Sequence, residues 1–252
     1  MYSNASSDNT MEHPLDGAQL RFERADRHLS EADAIVASWS KACENQIVCD
    51  GGKIRFDGGW PSIPLTLPIV IGDAIHNLRA ALDYIVYELA LKHSGSVQEG
   101  TQFPIEDYKV HPVRRDRGFD ARVKTYLKGL NPIHVAMIED LQPYRRGQWT
   151  RTLADISNRD KHRELCPLSK DGRMIGLAIT YNSNGRFEGA FKVTTDDKGF
   201  AGIDVERFDV SIEGHHAIGI AGADPTEPPI METLRRMEME VCRTIELFRP
   251  EF

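Results

Sequence analysis

Gly72–Ala90 reads GDAIHNLRAALDYIVYELA. Ile71, Ile75, Leu78, Leu82, Ile85 and Leu89 fall on one apolar stripe at roughly 100° per residue, which predicts a core helix from Ile69 to about Lys92. A helix of that kind needs only generic polar residues on its outer faces, yet this one carries His76, Asn77, Arg79 and Asp83. His76, Arg79 and Asp83 are spaced three and four apart, so they are neighbours at one flank of the stripe, and Asn77 points to the other flank. The reading is a hydrogen-bonded polar row at the edge of the core.

A second stretch repeats the pattern. LADISNRDKHRELCPL, Leu153–Leu168, belongs to a predicted helix from about Trp149 to Leu165 that Pro167 stops. Trp149, Leu153 and Ile156 define its apolar stripe, and the next position on that stripe is Asp160. A carboxylate placed there is poorly solvated, and leaving it unpaired costs several kcal/mol, so a donor is expected. Arg163 on the same side, or Arg79 and His76 across the bundle, would supply it. Asn158 and His162 share the more solvated face. The two helices together are expected to build one cluster of His, Arg, Asp, Asn and Lys.

Outward from these helices, Leu15–Ala42 has helical spacing, and QIVCDGGKIRF places Gly51 and Gly52 between two β-prone runs, a hairpin pattern. TQFPIEDY is a loop with an apolar anchor. KVHPVRRDRGFDARVKTYLK, Lys109–Lys128, carries seven Lys or Arg against two Asp, and its second half is predicted to be helical. In NPIHVAMIEDLQPY, Asn131 is the expected N-cap and Pro132 the first helical residue. Between Gly172 and Gly222 the runs RMIGLAITY, RFEGAFKV, AGIDVERFDVSI and HHAIGIA alternate with turn residues, the pattern of an antiparallel meander of three to five strands. A last helix spans Ile230 to about Phe248. The expected class is α+β: a helical bundle of about four long helices with a small antiparallel β-sheet inserted before the last helix. Residues 1–14 read as a disordered leader and 15–252 as one domain, with bundle core 15–168 and 229–249 and the β-meander at 172–222.

Composition narrows the function classes. A net charge of -7 argues against a surface that is wholly a nucleic-acid footprint, while leaving room for a local basic patch. No apolar run approaches the ~18 residues that span a bilayer, and no membrane partner is expected. MYSNASSDNTMEHP lacks the basic and apolar regions of a secretory signal, and Cys43, Cys49, Cys166 and Cys242 form no C-x-x-C pair, so a reduced, cytoplasmic protein is expected. Neither H-E-x-x-H nor E-x-x-H occurs to recruit His76, Asp83, Asp160 and His162 as metal ligands, and neither metal nor cofactor is expected. The phosphate-loop, nucleophile-elbow and dinucleotide-binding motifs are missing.

The motifs GDAIHNLRAALDYIVYELA, FPI, IEDLQPY and LADISNRDKHREL, in that order, resemble a widespread family of uncharacterised bacterial proteins whose members share an H-N-L-R-[AS]-x-L-D helix and an N-x-x-D-K-H-R helix. The resemblance covers roughly 69–166. A second likeness is to HEPN domains, helical bundles of bacterial toxin and defence systems, many of them dimeric, metal-independent ribonucleases with an R-x(4–6)-H motif. Asn158, Arg159 and His162 stand in that motif's place, with two residues rather than four to six between Arg159 and His162.

Two functions follow. In the first, the chain is a HEPN-like ribonuclease or related phosphoryl-transfer enzyme. His76 and His162 are acid and base, Arg79, Lys161 or Arg163 holds phosphate, and Asp83 or Asp160 orients a histidine, with Asn158 in the same cluster. Arg145 and Arg146, beside the basic segment, would complete a phosphate-binding rim for RNA or another phosphate-bearing ligand. In the second, the chain is a non-catalytic ligand- or protein-binding module whose polar cluster is structural. A homodimer through helix faces suits both.

Overall fold

Among the described residues the spacing of apolar residues resolves into six α-helices: α1 (Asp16–Glu44), α2 (Thr66–Ser94), α3 (Phe119–Tyr126), α4 (Pro132–Asp140), α5 (Gln148–Lys161) and α6 (Ile230–Phe248). This computed structural model describes residues 13–44, 61–161 and 228–252, together with strand backbone at 47–50, 53–56, 168–181, 200–201 and 210–220. Among the described residues no helix is long and apolar enough to cross a membrane.

The helix boundaries follow local chemistry. α2 begins at Thr66, earlier than its apolar stripe implies, and takes Pro68 into its first turn, where a missing N–H interrupts no helical hydrogen bond. α4 starts as predicted: the Asn131 side chain accepts from the Ile133 N–H at 2.9 Å, and Pro132 follows it. α6 spans the predicted residues, and its stripe of Ile230, Leu234, Met237, Val241, Ile245 and Phe248 is buried throughout.

The expected α+β class is corrected. The part of the chain with described side chains is 69% helical, so the class is helical. The physical reason lies in the core: its apolar residues come from helices at helical spacing and from short connections such as Phe103, and no sheet face among the described side chains covers them. Backbone pairing does occur between Ile47–Asp50 and Lys53–Phe56, as the runs flanking Gly51 and Gly52 predict, and between Leu168–Tyr181 and Val210–Ile220. Apart from buried Ile218, the side chains of these segments lie outside the described residues, as does much of the predicted meander at 172–222.

The chain divides into two compact units. One comprises 28–71 and 164–235; in it Leu29, Ala32, Trp39, Leu67, Ile71 and Leu234 are buried, the Trp39 indole donates to the Pro61 carbonyl at 3.2 Å, and Arg235 pairs with Asp33 at 2.8 Å. The other comprises 1–27, 72–163 and 236–252, and it holds α3, α4, α5 and most of α2. Its core is built from Ile75, Leu78, Leu82, Ile85 and Leu89 of α2 with Phe103, Phe119, Ile138, Leu153, Val241 and Ile245. Within this unit α1 meets α2 at a glycine, because a Cβ on Gly17 would lie 2.8 Å from the Tyr84 ring.

Before α3 the chain makes a closed excursion from Lys109 to Gly118. Its neck is tied by the Phe119 N–H donating to the Tyr108 carbonyl at 2.9 Å and the Asp120 N–H donating to the Lys109 carbonyl at 3.0 Å. Gly118 closes the neck with φ 91, a left-handed value that disfavours side chains, and a Cβ there would sit 2.8 Å from the His111 nitrogen and 2.9 Å from the Lys109 oxygen. Gly118→Ala should therefore destabilise the protein by about 1–3 kcal/mol, read as a lowered urea midpoint, and an unchanged midpoint would show that the neck tolerates a side chain.

Candidate functional site

The polar row on α2 resolves into a clamp on the backbone of one residue. Arg79 and Asp83 are one turn apart on the same flank, 3.9 Å from each other. Both reach the connection after α2: the Phe103 N–H donates to Asp83 Oδ1 at 2.8 Å, and Arg79 Nη2 donates to the Phe103 carbonyl. A cation and an anion on one helix thus satisfy both polar groups of a residue whose ring is fully buried. The arrangement follows from burial, since an extended segment inserted beside a core must find partners for its amides. Burial lowers the Arg79 pKa from its ordinary value, and the Asp83 charge opposes that shift.

Gln142 continues the clamp. Its fully buried side-chain amide donates to the Pro104 carbonyl at 2.9 Å and to the Ile138 carbonyl at 3.1 Å, and its oxygen accepts from the Glu106 N–H at 3.0 Å. Glu106 then turns its carboxylate the other way, accepting from Arg122 Nε at 2.6 Å and from the Gly118 N–H at 3.2 Å. From Asp83 to Gly118, one extended segment, residues 103–106, is gripped by side chains of α2, α3 and the turn after α4.

The remaining predicted residues separate. His76 is exposed and has no hydrogen bond or ion pair with another described residue. It does not join the Arg79–Asp83 row, because that row is turned onto Phe103. Asn77 is buried on the other flank, donating to the Asp73 carbonyl at 2.8 Å. Asn158 is exposed on α5, where Leu153 and Ile156 are buried as their spacing predicts. The side chains of Asp160 and Lys161, and the whole of His162 and Arg163, lie outside the described residues. Among the described residues no group of three or more His, Cys, Asp or Glu is arranged to hold a metal ion.

The basic segment and its neighbours sort into two sets of cations. Arg145 and Lys109 both grip Glu139, at 3.0 and 2.9 Å. Burial works to raise the Glu139 pKa, but these hydrogen bonds prevail and hold it below the ordinary glutamate value. Arg151 pairs with Asp107 and, at 3.3 Å, with Asp155, and Arg122 pairs with Glu106. Arg114, Arg115, Arg117, Lys124, Lys128 and Arg146 are exposed and have no ion-pair partner among the described residues. Of the predicted phosphate rim, Arg145 is neutralised and Arg146 is open.

Sequence reasoning passed over Gln142, Glu106 and Glu139. The one cue to Gln142 was its place, before Pro143 at the end of an apolar helix, and no periodicity marks it as buried. His134 is also buried, with Nε2 2.9 Å from Glu251. No family model, curated protein or solved structure matches the chain.

If the α2 row is a clamp, Asp83→Ala should cost about 2–3 kcal/mol in urea unfolding, because it strands Arg79 and the Phe103 N–H together. Asp83→Asn, which keeps an acceptor but removes the charge, should cost about half of that. His76→Ala should stay within about 0.5 kcal/mol of wild type. Equal losses for His76→Ala and Asp83→Ala would contradict the division made here.

Proposed function

We propose that the protein is a non-catalytic helical binding module that takes a phosphate-bearing anion on its basic segment, with the polar row of α2 serving as architecture. The observation that carries this reading is the division of labour among the cations. Arg79, expected to hold phosphate, is committed to the Phe103 carbonyl, while Arg114, Arg115, Arg117, Lys124, Lys128 and Arg146 stand in solvent without a described counter-ion. Five of these six cations lie within Lys109–Lys128, which concentrates positive potential on that segment of a chain of net charge -7. The clamp and the Glu106 bridge hold that segment in place, so binding need not order it first.

The ligand class is RNA or another polyanion presenting phosphates, engaged through backbone charge rather than base stacking, since few aromatics are interleaved. The scattered cysteines fit a reducing, cytoplasmic setting.

The test is binding of the full chain to a single-stranded RNA across a salt series. Arg114→Ser/Arg115→Ser/Arg117→Ser should bind at least about tenfold more weakly at low salt and show a salt slope shallower by about 2, from three lost phosphate contacts. Binding equal to wild type would overturn the reading. RNA cleavage that survives EDTA and disappears in His162→Ala would replace it with the HEPN-like ribonuclease.

A further inference from the structure

The Lys109–Gly118 excursion presents two kinds of side chain that do not ordinarily share a solvated loop. Val113 is 83% exposed and Val110 63%, with Pro112 exposed between them and Tyr108 at 48% just before. Arg114, Arg115 and Arg117 follow immediately, exposed and without ion-pair partners among the described residues. Asp116, the only acidic residue of the excursion, lies close enough to Arg122 to favour that guanidinium's charged form.

The display is built. His111 Nδ1 accepts from the Val113 N–H at 3.2 Å and from the Arg114 N–H at 3.0 Å, which fixes the turn that projects Val113. The His111 ring meets the Tyr108 ring edge-on at 5.3 Å, and the Arg117 N–H donates to the Arg114 carbonyl at 3.1 Å. Below the tip, the Gly118 neck and the Glu106 carboxylate close the loop.

A preformed loop with an apolar tip and a cationic collar matches an interface whose outer layer is anionic and whose inner layer is hydrocarbon. A nucleic acid would satisfy Arg114, Arg115 and Arg117 but would leave Val110, Pro112 and Val113 in water, and only the Tyr108 and His111 rings, turned edge-on to each other, offer stacking surfaces on this loop. We propose that this loop docks the protein on the surface of an anionic membrane, Val110 and Val113 entering below the headgroups and the three arginines meeting lipid phosphates. The proposal rests on the phosphate-binding reading and names the source of the phosphate. It departs from the expectation of no membrane partner, which concerned spanning segments; an interfacial loop needs none.

The test is cosedimentation of the full chain with vesicles of phosphatidylcholine containing about 30% phosphatidylglycerol, beside vesicles of phosphatidylcholine alone. Wild type should sediment with the mixed vesicles and remain in solution with the neutral ones. Val110→Ser/Val113→Ser, which changes no charge, should lower partitioning at least about tenfold while leaving RNA binding and the circular dichroism spectrum unchanged. Wild-type RNA binding without vesicle binding overturns the membrane proposal alone. Vesicle binding that the valine variant retains overturns it also, since the tip would then contribute nothing. Failure to bind either vesicles or RNA overturns the phosphate reading on which it rests.

Discussion

The carbonyl and N–H of Phe103 are held by two charged side chains from one helix turn, and the arrangement of this half of the protein depends on that grip. Phe103 contributes a buried ring to the core, but its backbone comes with it and belongs to no helix or ladder. Without Arg79 and Asp83 the segment would leave a donor and an acceptor poorly satisfied beside the core, at a cost comparable to what ring burial contributes. Gln142 and Glu106 extend the solution in opposite directions, toward the α4–α5 turn and toward α3. The glycine at the turn between α4 and α5 belongs to the same economy of space: a Cβ on Gly147 would overlap the Leu141 carbonyl, so this turn closes only around a glycine.

That grip changes what the charged residues are for. Charges spaced three and four apart on a helix read equally well as catalytic machinery or as a network that fixes register. Here the row is turned onto the Phe103 backbone, and the cation in it is desolvated, with Arg79 Nη1 buried without a hydrogen-bond partner. Chemistry that needs a mobile or solvent-facing guanidinium must look elsewhere, and Arg114, Arg115 and Arg117 lie open on the excursion that Glu106 closes. A structural role and the proposed binding role thus fall to neighbouring cations of identical type, separated by burial and by whether a carboxylate or carbonyl stands within reach.

Much of this was legible in the sequence, and the failures have physical causes. Helices with long apolar stripes, α2 and α6, announced themselves, and the Asn131 cap followed from side-chain chemistry within three residues. Helical projection also put Arg79 and Asp83 on one flank correctly. It could not say what they touch, because Phe103 lies 20 residues beyond Asp83 and the contact is tertiary. His76 was grouped with them by spacing alone, and spacing does not distinguish the side of a flank that meets a loop from the side that meets water. The α+β expectation weighed strand propensity in 172–222 as though it defined a layer, whereas the class is set by the side chains that build the core. Gln142 was overlooked because a buried glutamine has no periodic signature; only the segment it serves gives it meaning.

The central claim is that Asp83 and Gln142 hold one and the same segment from two sides. It is tested most directly by a double-mutant cycle of Asp83→Ala and Gln142→Ala followed by urea unfolding. Once either residue is removed, residues 103–106 should already be loosened, so the second removal should cost less than it does alone, giving a coupling of at least about 1 kcal/mol. Losses that add to within about 0.3–0.5 kcal/mol would show two independent sites and contradict the clamp.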